Sequence, residues 1–82
     1  MLIQTPERPE LSNNLTPTET DILRLIAKGM TVKEIASERI SSIHTIVTHK
    51  KNIFRKLGIN NVYEATKYAL RAGLVEIVEY YI

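Results

Sequence analysis

Residues 31–58 read TVKEIASERISSIHTIVTHKKNIFRKLG, and the fold is decided by this stretch. Thr31-Val32-Lys33-Glu34 has the form of a capping box. In that motif the Thr hydroxyl accepts from the amide three residues on, while the Glu carboxylate accepts from the Thr amide. It predicts a short helix over 32–39. Ser42 then supplies a capping hydroxyl for a longer helix over 43–57, and Gly58 the left-handed residue that closes it. Only the tight turn Ile40-Ser41-Ser42 separates the two helices. A short helix, a tight turn and a longer helix have the layout of a helix-turn-helix, in which the second helix enters a DNA major groove.

Working outward, the same punctuation recurs on both sides. Thr16-Pro17-Thr18-Glu19 is another capping box, with Pro17 at the first helical position, where no amide hydrogen is needed. Ile22, Leu23 and Ile26 follow at helical spacing and Gly29 ends the run, which predicts a helix over 17–28. Asn61-Val62-Tyr63-Glu64 opens a last helix over 62–72, closed by Gly73, in which Ala65, Ala69 and Leu70 suit the core side. The expected fold is all-α, a compact four-helix domain over 15–82 containing the helix-turn-helix. Residues 1–14 hold two of the three prolines without a sustained period and read as a flexible arm or linker, as an upstream domain in a longer parent chain would explain. The closing VEIVEYYI is ambiguous between a last helical turn and an extended end.

Composition sets the outer bounds. Eighty-two residues with 44% hydrophobic and 24% charged side chains suit one small globular domain. The chain has no cysteine, which excludes disulfides, thiolate nucleophiles and cysteine-held zinc and is compatible with a cytoplasmic location. Apolar runs are only a few residues long and the N-terminus lacks an apolar signal core, so no membrane partner is expected. Eleven basic and nine acidic residues give +2, but the charge is uneven. Lys50, Lys51, Arg55 and Lys56 give +4 to residues 42–57, which contain no acid, and leave seven bases against nine acids, −2, elsewhere. Such a segment suits an anion-facing surface and equally a solvated lysine-rich helix face.

Winding residues 43–57 at about 100° per residue separates these readings. Ile43, Ile46, Val47, Ile53, Phe54 and Leu57 fall within roughly 120°, an arc expected to face the core. His44, Thr45, Thr48, Lys51, Asn52, Arg55 and Lys56 fill most of the opposite side, with Val47 at the border. The acids that normally pair with lysine at i,i+4 are missing there. Hydroxyls, an amide, an imidazole and cations take their place, a donor set suited to phosphates and base edges. Lys50 lies in the middle of the apolar arc and is expected to snorkel to a phosphate or to pair with Glu19 or Asp21. Asp21 otherwise reads as a helix-dipole acid.

These residues resemble the LuxR/GerE-type helix-turn-helix output domain of bacterial transcription regulators, including response regulators. LTPTETDILRLIAKGMTVKEIA is similar to the family's opening, and Ser42, Thr45 to His49 and NIFRKLGI to its S-x-x-T-V-x-x-H-x-x-NI-x-x-KLG run. EATKYALRAGL resembles its final helix, so the resemblance spans Leu15 to Leu74. It implies double-stranded DNA as partner, with Val47, Thr48 and Lys51 facing bases. Phosphates would fall to Lys33, Thr45, Lys50 and Arg55, and His44 and Asn52 extend the same face. It further implies a homodimer on DNA, with Val62, Tyr63 and Thr66 of the last helix as the candidate dimer surface, and RNA polymerase as a further partner. Val47 stands where the family often has lysine; it can touch a thymine methyl but cannot read guanine. Arg39 and Ser41 replace apolar residues common in relatives, which would loosen the packing of the short helix.

Other functions find little support. His44 and His49 are five apart, about 140° around the helix, and cannot share a metal. His49 reads as a packing or phosphate-side residue. The sequence offers no nucleophile, base and acid constellation and no glycine-rich phosphate loop, so neither an enzyme nor a cofactor or small-molecule ligand is expected. The alternative is a helical module that binds a regulator or polymerase subunit without reading DNA. The acid-free donor face argues against it, because a protein partner favours aromatic and apolar anchors.

Overall fold

The computed structural model describes residues 15–76. They form four α-helices and no strand: α1 (Pro17–Ala27), α2 (Val32–Glu38), α3 (Ile43–Leu57) and α4 (Val62–Arg71). Three of the spans expected from sequence run one residue too far, and the third helix has the expected ends. The arm expected over 1–14 and the closing residues 77–82 lie outside the described residues.

Each helix starts at a side-chain cap. Thr16 and Thr31 form complete capping boxes with Glu19 and Glu34. Ser42 Oγ accepts from the Thr45 amide at 3.0 Å and Asn61 Oδ1 from the Glu64 amide at 2.9 Å. These contacts satisfy amides that a helix start would otherwise leave unpaired. Each helix also ends in the same way, with an amide just past the helix reaching back to the last turn. Met30 donates to the Leu25 carbonyl, Ser41 to Ala36, Ile59 to Phe54 and Leu74 to Ala69. That closure needs a left-handed residue just before the donating amide. Glycine fills the place at 29, 58 and 73, but in the helix-turn-helix turn it is Ile40, at φ 55°.

α1 packs against the other three helices, and α2 packs on α3. Ile22, Leu23, Ile26 and Ala27 of α1 meet Ile35 and Ala36 of α2, Ile46 and Ile53 of α3, and Ala65, Tyr68 and Ala69 of α4 in one buried cluster. Leu70 is half-buried at its margin. The expected core arc of α3 holds at Ile46 and Ile53, with Val47, Phe54 and Leu57 half-buried. Ile43 departs from it and leaves 50% of its surface exposed. It is the first helical residue after a turn whose Ile40, Ser41 and Ser42 are all exposed, so α3 has not yet reached cover there.

Arg39 does not loosen α2 as expected. Its guanidinium donates to Asp21 of α1, whose carboxylate also accepts from Arg24 at 2.7 Å. Arg24 Nε in turn donates to the Leu74 carbonyl at 3.2 Å, so an ionic chain ties α2 to α1 and reaches the segment after α4.

Ile40 is 93% exposed, so its side chain gains almost no burial to offset a left-handed backbone. For a β-branched residue that conformation costs about 1–2 kcal/mol. Ile40→Gly is therefore expected to raise unfolding stability by about 0.5–1 kcal/mol in urea titrations followed by circular dichroism, with glycine's chain entropy taking back part of the gain. A loss of stability would show that the Ile40 side chain holds the turn.

Candidate nucleic-acid interface

The exposed side of α3 gathers most of the side chains singled out in the sequence. His44, Thr45, Thr48, Lys51 and Arg55 are exposed along it, with Val47 and Asn52 half-buried at its two margins. Lys33 is exposed in the first turn of α2. The Ser42 cap ties down the start of this surface, since Ser42 Oγ also donates to Thr45 Oγ1 at 2.9 Å. Near its end, Arg55 donates to Asn52 Oδ1 at 2.9 Å. Asn52 thus orients the Arg55 guanidinium, a pairing at i,i+3 spacing that the sequence carried but that inspection of single residues missed.

Of the two expectations for Lys50, the pairing with an acid of α1 does not hold. Neither Glu19 nor Asp21 is its partner; its ammonium lies 5.6 Å from the centroid of the Phe54 ring. The lysine that reaches Glu19 is Lys56, at 2.7 Å. On the helical wheel Lys56 lies roughly 120° from Lys50, on the margin of α3 that meets the start of α1. Lys50 instead borders a small cavity with Met30, Val32, Ile35 and Val62. On α4, Val62 and Tyr63 are exposed, the latter by 67% with Lys67 over its ring at 5.2 Å. Thr66 is not part of that surface: it is 6% exposed and donates its hydroxyl to the Val62 carbonyl at 2.9 Å.

The family model described as "Bacterial regulatory proteins, luxR family" matches residues 13–69, well over half of the chain. The chain belongs to the luxR family of bacterial regulatory proteins. It is 46% identical over 65 residues to the uncharacterized response regulatory protein YgeK of Escherichia coli, covering 79% of this chain and 44% of that one. It is 45% identical over 69 residues to the transcriptional regulatory protein MctR of Rhizobium johnstonii, covering 84% and 32%. The Fimbriae Z protein of Salmonella typhimurium is 41% identical over 66 residues, covering 80% and 31%. The chain thus spans less than half the length of these curated relatives. Family and relatives together support regulation of transcription through DNA binding. No helix among the described residues is long and apolar enough to cross a membrane.

Besides the packing of Ile46 and Ile53, α3 of this luxR-family domain is tied to α1 through Glu19, the third residue of α1. Its side chain is buried, and Oε1 accepts both from the Thr16 amide at 3.0 Å and from Lys56 Nζ at 2.7 Å. His49, one turn before Ile53 on α3, is half-buried beside this pair, and its Nδ1 finds no protein partner. Burial alone pushes the Glu19 carboxyl up. The Lys56 and Thr16 hydrogen bonds, with the charges of Lys56 and His49, more than offset it and hold the carboxyl below its ordinary value near 4.5.

A carboxyl depressed in the folded state adds stability above the unfolded value, and that stability is lost as pH falls through the folded one. Glu19→Gln is therefore expected to be less stable than the parent at pH 7 and to lose less stability between about pH 5 and pH 3. Lys56→Met removes the carboxylate's ionic partner and leaves it the Thr16 amide, and is expected to cost about 1–2 kcal/mol at pH 7. Urea unfolding across that pH range reads both effects, and parallel acid profiles for all three chains would contradict the pairing.

Proposed function

We propose that this domain binds double-stranded DNA in a sequence-specific manner to regulate transcription in the bacterial cytoplasm, with α3 lying in the major groove. The observation that carries the reading is the exposed, acid-free donor face of α3. Lys51 and Arg55 project from it with no carboxylate partner among the described residues, while the neighbouring Lys56 is neutralised by Glu19. Val47, Thr48 and Lys51 approach base edges, with His44 at the margin. Lys33, Thr45, Lys50 and Arg55 hold phosphates, Asn52 positioning Arg55 for the purpose.

With three cations, Lys33, Lys50 and Arg55, facing phosphates, one copy binds weakly, with a log–log salt slope of about −3. Two copies on half-sites about one helical turn apart recover affinity through effective concentration. The exposed Val62 and Tyr63 of α4 are the surface we assign to contact between the copies, without Thr66.

The test is selection from random duplexes by the full chain at two salt concentrations. The expected result is a two-fold symmetric motif that persists at the higher salt. Binding that vanishes with salt and enriches nothing would overturn the reading in favour of a module that binds a regulator or polymerase subunit. Lys51→Ala is expected to lower the ratio of specific to non-specific affinity about tenfold, as loss of a base contact does. Equal loss on every sequence would assign Lys51 to phosphate.

A further inference from the structure

The chemistry of the α3 face restricts which bases it can read. Major-groove edges differ in acceptors, donors and one apolar group: guanine offers two acceptors, thymine an acceptor and a methyl, and adenine and cytosine each offer an amino donor. Reading an amino group requires an acceptor on the protein. The face has no Asp or Glu, and two of its other oxygens are already engaged. Asn52 Oδ1 accepts from Arg55 and Thr45 Oγ1 from Ser42. With its carbonyl turned to Arg55, Asn52 would have to give up or share that bond to make the paired contact to adenine, which needs its oxygen and its amide together. The face is therefore rich in donors and matched to the carbonyl-bearing bases, guanine and thymine.

The apolar atoms on its margin separate those two. Val47 lies at the border of the donor face, beside the exposed Thr48. Ile43 precedes it by four residues, on the same side of the helix, and is half exposed. A branched apolar strip next to donors is complementary to a thymine, whose methyl and carbonyl oxygen sit side by side in the groove. Beside guanine it would meet only polar edges.

We infer that Val47 is a specificity-determining residue that packs on the C5 methyl of a thymine in each half-site, next to a guanine or thymine carbonyl contacted by Lys51. This deepens the proposed DNA reading and rests on it.

The test uses the full chain and the duplex that it selects, with each thymine replaced singly by deoxyuridine, which keeps every hydrogen-bonding group and removes only the methyl. One position in each half-site is expected to weaken binding about fourfold, the effect of one buried methyl, by a factor independent of salt. Val47→Ala is expected to bind the thymine and uracil duplexes equally at that position. Because the comparison on the parent chain changes only the DNA, it stands even where the variant is less stable. A selected motif that tolerates uracil everywhere, or a preference for thymine that persists in Val47→Ala, would overturn this inference and leave the DNA reading intact. A chain that selects no motif would overturn both.

Discussion

The buried carboxylate of Glu19 is the interaction on which the presentation of α3 depends. One oxygen closes the capping box at the start of α1 and receives the ammonium of Lys56 from the last turn of α3. The helix that carries the interface is thereby fixed at its far end to the helix that packs on every other element. A buried carboxylate is unfavourable unless its partners stay in place, so the pair constrains where α3 can sit as much as it stabilises the domain. The near end is fixed differently, by the Ser42 cap and by α2, which Arg39 ties back to α1 through Asp21.

Four acids of the domain follow one pattern. Glu19 and Glu34 complete capping boxes, Asp21 receives two arginines, and Glu64 accepts from the Asn60 amide at 2.8 Å. Internal structure occupies these carboxylates, and none of the four lies on the outer side of α3. A chain with a formal charge of only +2 therefore presents one surface of cations and hydroxyls. This is the link from fold to the proposed function: capping and ion pairing place these four negative charges where they organise helices, and leave on α3 the donor face on which the proposed DNA reading rests.

The helices were legible because their ends are local chemistry. Thr16, Thr31, Ser42 and Asn61 act within four residues of themselves, so sequence alone locates them. What a helical wheel lacks is depth and the identity of the neighbour. It put Lys50 in the apolar arc without revealing that Phe54 would receive its charge, and it put Lys56 outward although Glu19 lies thirty-seven residues earlier in the chain. Ile43 has the right angle for the core but sits at an end with nothing over it. Thr66 was assigned from the resemblance to an outer surface, whereas its hydroxyl caps a carbonyl one turn back and lies buried. The tie between Arg39 and Asp21, eighteen residues apart, was also out of reach of local pattern, because an arginine at a position apolar in relatives reads first as a packing defect.

The most direct test of the account is the nuclear magnetic resonance spectrum of the full chain titrated with a selected duplex. The account predicts that the amides and side chains of His44, Val47, Thr48, Lys51 and Arg55 move most, with a smaller set of shifts at Val62 and Tyr63 where two copies meet, while the buried residues of α1 move least. Shifts centred on Val62 and Tyr63 of α4, with α3 unmoved, would contradict it.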